Sequence, residues 1–194
     1  MRSEFAFRPT ISKEEISELP VRHFQGEIFY IDTYEKFMKV NGFLKNEKVL
    51  GFDTETRPSF KKGATNGVSL LQLSTVNKAF LFRINKIGLP EELKSILSSD
   101  EILKIGVAIH DDLISLKKVA HFVPAGFIDL QHIAKDYGIE EKGLKKLAAI
   151  VLGFKISKRQ QTSNWEAEVL SQPQIEYAAT DAWVCYEIYN RLMQ

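Results

Sequence analysis

One stretch limits what this chain can become: Val49-Leu50-Gly51-Phe52-Asp53-Thr54-Glu55-Thr56. Its first four residues suit a buried strand, and they run straight into two carboxylates spaced i, i+2. Side chains alternate sides along a strand, so Asp53 and Glu55 share a face. Two acids crowded at the end of a hydrophobic strand repel each other and lose solvation. The pair is costly unless a cation sits between them. A divalent metal with oxygen ligands is the simplest candidate. The remainder of the chain must then deliver further ligands to the same place.

The 194 residues suit one domain with a substantial core. Lys and Arg total 26 against 25 acids, so there is no global positive field, and any nucleic-acid role rests on local basic clusters. The single cysteine, Cys185, rules out an internal disulfide or a cysteine-rich zinc site. Met1 to Thr10 contains no secretory signal, and no run of about 18 apolar residues could span a membrane. A soluble, intracellular, cytoplasmic protein without membrane association is the expectation.

Ser12 to Leu19 reads as a short capped helix stopped by Pro20, in an N-terminal arm over residues 1–26 packed on a domain over 27–194. Strand patterns follow at Glu27–Ile31, Lys48–Thr56, Val68–Thr75 and Ala79–Ile84, and this first part of the sheet is expected to be antiparallel. Arg57 to Gly67, with Pro58, Gly63, Asn66 and Gly67, is a loop. Ile102–Ile109 is a nearly continuous apolar run, suited to a parallel strand covered on both faces. It ends at His110-Asp111-Asp112, where either aspartate could open a helix. A short strand, Phe127–Leu130, and two helices lead to a last helix from Gln172 to the C-terminus. There Ile175, Ala178, Ala182, Cys185, Tyr189 and Leu192 form one apolar stripe. The order predicts an α/β fold with a mixed sheet flanked by helices.

In such sheets ligands gather beyond the carboxyl ends of strands. Asp53 and Glu55 end one strand, Asp112 follows another, and the last helix presents Asp181 with Tyr177 one turn earlier on the same face. Four carboxylates cannot all ionise in one pocket unaided. Two divalent ions about 4 Å apart would neutralise them and clamp the attacking and leaving oxygens of a phosphodiester. All-carboxylate ligation points to Mg²⁺ or Mn²⁺. Tyr177 suits an orienter of water better than a strong base.

The motifs Phe52-Asp53-Thr54-Glu55-Thr56, His110-Asp111-Asp112-Leu113 and Tyr177-Ala178-Ala179-Thr180-Asp181 resemble, in order and context, those of the DEDD 3′–5′ exonucleases. A tyrosine four before the last aspartate is similar to the tyrosine subgroup; the histidine subgroup would carry His where this chain has Glu176. Ser163-Asn164-Trp165 strengthens the similarity to ribonuclease D and the Werner-syndrome exonuclease domain. The resemblance implies a ribonuclease H-like fold with a five-stranded mixed sheet. It also implies release of nucleoside 5′-monophosphates from single-stranded 3′ ends of DNA or RNA with two metals. Asp53, Glu55 and Asp181 match ligands of the nucleophile-side metal, with Asp53 bridging to a second metal that Asp112 holds. Tyr177 matches the residue that positions water.

Where proofreading domains carry Asn, four residues before the middle aspartate, this chain has Ala108, which argues for a free-standing relative. Phe60 occupies the region of a leucine that wedges against the terminal base. Thr54, Phe60, Lys61, Lys62, Lys158 and Arg159 are candidate nucleic-acid contacts, with Lys142, Lys145, Lys146 and Lys155 as further phosphate contacts. Asp112 is favoured over Asp111 as ligand by motif register. His110 reads as a partly buried neighbour and Trp165 as core packing. Two alternatives remain open: a catalytically silent nucleic-acid-binding module of the same fold, and a haloacid-dehalogenase-like phosphatase, because Phe-Asp-Thr-Glu-Thr echoes that nucleophile motif. No protein partner is indicated.

Overall fold

The computed structural model describes residues 7–58 and 66–194. Six strands form one mixed sheet: β1 (Glu27–Ile31), β2 (Val49–Thr56), β3 (Val68–Ser74), β4 (Lys78–Phe82), β5 (Leu103–Gly106) and β6 (Phe127–Asp129), in the order β1-β4-β3-β2-β5-β6. The three-residue β6 extends the sheet beyond the five strands expected. β2–β3 and β3–β4 are antiparallel, while β1 lies parallel to β4, correcting the expectation of a wholly antiparallel first part. The reason lies in the connection. β1 runs into a helix, which carries the chain away before it returns as β2, and the open edge of β4 takes β1 in parallel.

One face of the sheet carries α2 (Tyr34–Leu44), α4 (Glu91–Leu97) and α5 (His110–Val119), with α3 (Ile84–Ile87) at its margin. Phe37, Leu44, Phe52, Leu71, Leu73, Phe82, Leu93 and Leu116 fill the core beneath them. The opposite face carries α6 (Leu130–Asp136), α7 (Leu144–Leu152) and the 22-residue α8 (Gln172–Met193). The small side chains expected to bring this last helix close to the sheet do so: Ala178, Ala179 and Ala182 are fully buried. At Gly51 the approach is closest, since a Cβ there would lie 1.8 Å from the Ala182 carbonyl oxygen.

α1 (Lys13–Glu18) starts at a capping box in which the Glu15 backbone N–H donates to Ser12 Oγ and the Ser12 N–H to Glu15 Oε2. Ile11 and Ile16 bury against Ala149 of α7. The chain is then tied down twice more, by a parallel bridge between Val21 and Lys155 and by Phe24, whose N–H donates to Thr180 Oγ1 of α8. No described helix is long and apolar enough to cross a membrane.

The apolar run at 102–109 stops pairing at Gly106, because Ala108 adopts φ 55° and turns the chain into α5. A left-handed alanine costs about 1 kcal/mol, whereas asparagine tolerates this region better. Ala108→Asn is therefore expected to stabilise the protein by about 0.5–1 kcal/mol. A higher denaturation midpoint would show it; an unchanged one would mean the turn is unstrained.

Candidate active site

Three elements deliver the four acids. β2 carries Asp53 and Glu55 on the face covered by α8, and α8 brings Asp181 down beside them. One carboxylate oxygen from each of these three residues lies within 4.8 Å of the others. Glu55 and Asp181 are buried and Asp53 is half-buried. Asp112 stands outside this trio in the first turn of α5, on the other side of β2. There its Oδ1 accepts a 2.5 Å hydrogen bond from Thr54 Oγ1.

Neither aspartate caps α5: the cap residue is Ile109, with no side-chain bond. Asp111 points to solvent, so Asp112 is the member of the pair that faces the site. His110 is exposed rather than partly buried, because it sits on the outer side of that turn. Thr54 gains a definite contact. Its hydroxyl holds Asp112, and its N–H donates to Asp53 Oδ1 at 2.9 Å.

The electrostatics are those of crowded, buried anions. Burial, then the Asp181 and Asp112 charges, push Asp53 well above the usual carboxylate range. Burial and the charges of Asp53, Asp181 and Asp112 raise Glu55 to about 10. Burial lifts Asp112 to about 6 against the pull of the Thr54 hydrogen bond. It lifts Asp181 to about 7, opposed by the Tyr177 hydroxyl and the Lys158 charge. Among the described residues none of the four acids forms an ion pair with Lys or Arg.

Two observations fit a metal here. The donors are oxygens only, which suits a hard divalent cation. Orphaned polar atoms also collect at the site. Among the described residues Asp181 Oδ1 is buried without a hydrogen-bond partner, and so are both amide atoms of Gln72, the residue paired with Asp53 across β2 and β3. Buried unpartnered groups cost free energy, which a cation bound with its waters would offset.

Tyr177 lies one turn before Asp181. Burial first, then the charges of Asp181, Glu55 and Asp53, drive its hydroxyl far above the ordinary tyrosine range. It therefore stays protonated and acts as a hydrogen-bond donor. Trp165 packs behind it at 6.0 Å between ring centroids and is fully buried, in keeping with its expected core role. The Asn164 carbonyl accepts from Gln174 Nε2 at 3.3 Å, tying the Ser163–Trp165 motif to the first turn of α8.

Of the candidate contacts to nucleic acid, Lys158 and Arg159 line a cleft that reaches Tyr177, together with Lys145 and Lys155. Lys146 instead pairs with Glu141 at 2.9 Å, and Lys142 is exposed outside that cleft. Phe60, Lys61 and Lys62 lie outside the described residues. Sequence reasoning missed Gln72, whose place opposite Asp53 depends on strand register, and the role of Thr54 in holding Asp112.

A family profile described as 3′–5′ exonuclease matches residues 28–194. The chain belongs to the 3′–5′ exonuclease domain family. It is 36% identical over 149 residues to the Drosophila melanogaster exonuclease 3′–5′ domain-containing protein 2, covering 75% of this chain and 25% of the fly protein. It is 32% identical over 186 residues to the mouse bifunctional 3′–5′ exonuclease/ATP-dependent helicase WRN, covering 90% of this chain and 13% of the mouse one. Among solved structures, Escherichia coli RNase D, an exoribonuclease involved in structured RNA processing, superposes with a TM-score of 0.77 at 25% identity. That match covers 89% of this chain and 44% of RNase D. The likeness to ribonuclease D and the Werner-syndrome exonuclease read from the motifs is borne out, as is the fold class. The chain spans less than half the length of each of these three proteins.

Proposed function

We propose that this exonuclease domain hydrolyses the last phosphodiester bond of single-stranded DNA or RNA at the 3′ end, using two divalent ions, Mg²⁺ or Mn²⁺. The convergence of Asp53, Glu55 and Asp181 around one point, with Asp112 on the far side of Asp53 and Tyr177 beside Asp181, carries this conclusion. Asp53, Glu55 and Asp181 would hold one ion, and Asp53 and Asp112 would hold the other. When bound, the ions acidify water and stabilise the charge that develops on phosphate oxygens.

The chain's own residues do the rest. Tyr177, held protonated, donates to the incoming water and aims its lone pair at phosphorus. Thr54 fixes Asp112 so that the second site keeps its spacing. The water oxygen bonds to phosphorus and the bond to the 3′ oxygen of the preceding nucleotide breaks. That oxygen leaves as a hydroxyl, having gained the proton the water gave up. The products are a nucleoside 5′-monophosphate and a strand one nucleotide shorter. Lys158 and Arg159 supply phosphate contacts at the margin of the site, and Phe60, Lys61 and Lys62 are proposed as further contacts to the strand.

The test is a 5′-labelled single strand of DNA or RNA incubated with Mg²⁺, Mn²⁺ or EDTA. A ladder shortening from the 3′ end, with 5′-monophosphates released and EDTA abolishing both, is expected. Internal cuts, or an aspartyl phosphate trapped on Asp53, would contradict it. Tyr177→Phe should lower kcat roughly 10²-fold. Mn²⁺ affinity measured by calorimetry should stay close to wild type, since Tyr177 is not among the ligands. An unchanged rate would remove Tyr177 from the mechanism.

A further inference from the structure

The overall charge is only +1, yet its distribution is uneven. A cleft of about 700 Å³ lies between the N-terminal arm, α7, the loop after α7 and the start of α8. Six Lys or Arg side chains line it (Lys13 and Arg22 from the arm, Lys145, Lys155, Lys158 and Arg159 from the domain) against one acid, Glu176. That acid already faces His23 at 3.9 Å. Among the described residues none of the six cations has an ion-pair partner. Like charges crowd together at a cost, so their convergence on one cleft implies an anionic occupant.

The arm is built into this cleft. The Arg22 N–H donates to the Lys155 carbonyl at 3.0 Å, and the Lys155 N–H to the Pro20 carbonyl at 2.9 Å. Two residues on, the Phe24 N–H is buried against Thr180 Oγ1 at 3.1 Å. Arg22 and His23 are thus pinned from both sides. They also line an adjoining hollow of about 500 Å³ whose walls include Phe24, Phe154 and Trp183. Phe154 and Trp183 stack there at 5.8 Å with ring planes 8° apart, and Trp183 is half-buried.

Basic side chains beside an aromatic wall are what a single strand of nucleic acid requires: cations for successive phosphates, and a ring surface for an unpaired base. We infer that the cleft and hollow form a single-strand tract outside the acid cluster, and that the arm's Lys13 and Arg22 complete it. A mononucleotide would use one phosphate and leave most of the cations uncompensated. A duplex would keep its bases stacked away from Trp183. This inference rests on the exonuclease reading, since the cleft is lined at one end by Tyr177, a residue of the site proposed to cut the strand.

The test is binding in EDTA, where hydrolysis is prevented. Fluorescein-labelled oligo(dT) and oligo(U) of twelve nucleotides, a twelve-base-pair duplex and thymidine 5′-monophosphate are titrated into the full chain. The twelve-mers should bind most tightly and quench tryptophan fluorescence, with the quench lost in Trp183→Phe. Arg22→Ala with Lys145→Ala should weaken twelve-mer binding roughly tenfold and reduce the salt slope by about 1.4, or about 0.7 for each cation removed. Arg22→Lys should retain binding; if the double variant fails to fold, Lys145→Ala alone should still lower the slope by about 0.7. Wild-type affinity and slope in these variants, or equal binding of the duplex or the monophosphate, would overturn the tract. Strand binding without hydrolysis on adding Mg²⁺ would instead overturn the exonuclease reading and leave the tract standing.

Discussion

Asp53→Asn should abolish measurable trimming of a 3′ end while making the metal-free protein more stable. The amide keeps the size of the side chain and removes the one charge that both of the proposed ions would share. Charge stabilisation of several kcal/mol is lost with it, so kcat/KM should fall at least about 10³-fold. Stability should move the other way, because Asp53 contributes to the raised pKa of Glu55 and is itself raised by Asp181 and Asp112.

The sign of the pH dependence follows from the same shifts. A carboxyl group whose pKa is higher in the folded state holds more protons there than in the unfolded chain. Stability is then greatest below the ordinary carboxylate range and falls as pH rises toward the shifted values. Those values are about 6 for Asp112, about 7 for Asp181 and about 10 for Glu55. The melting temperature in EDTA should therefore drop between pH 5 and pH 8. Asp53→Asn should flatten that drop, and Mg²⁺ should raise the curve most at the alkaline end, where the acids are ionised. A metal-free melting temperature that rises through this range would contradict the mutual repulsion of these carboxylates.

Gly51→Ala should have the largest effect on the fold. Its Cβ would lie 1.8 Å from the Ala182 oxygen, 2.8 Å from the Ala182 carbonyl carbon and 3.0 Å from the Tyr186 nitrogen. All three are backbone atoms, so no side chain can swing aside. α8 must lift from β2, at a cost of about 3 kcal/mol or more. At this chain length that is a fall of roughly 6–12 °C in melting temperature. Because Ala182 follows Asp181, the same shift separates Asp181 from Asp53. A displacement of about 1 Å at a catalytic site can cost 10²-fold in rate. Activity of the folded fraction at low temperature should fall accordingly, and a wild-type melting curve would show that α8 is not seated on this glycine.

The acids were legible in the sequence because local periodicity reports them. A spacing of two on a strand puts Asp53 and Glu55 together, and a spacing of four on a helix aligns Tyr177 with Asp181. What joins separate elements was not legible. Thr54 reads as one more strand residue until α5 places Asp112 against its hydroxyl. Lys104 is hidden inside an apolar run, yet it is buried and donates to the carbonyls of Ile96, Ser99 and Ile102 at 3.0, 2.6 and 2.7 Å. Burial lowers its pKa to about 8. Arg83 closes a strand and is also fully buried, with Nη2 donating to the Ala167 carbonyl at 2.7 Å, which anchors the segment behind Tyr177. The parallel pairing of β1 and the six cations of the cleft likewise depend on contacts between residues far apart in sequence.

Anomalous diffraction from crystals soaked in Mn²⁺ tests the proposed metal centre most directly. Two peaks are expected, one among Asp53, Glu55 and Asp181 and one between Asp53 and Asp112, with both lost in Asp53→Asn. Mn²⁺ absent from the acid cluster in crystals of an active protein would contradict it.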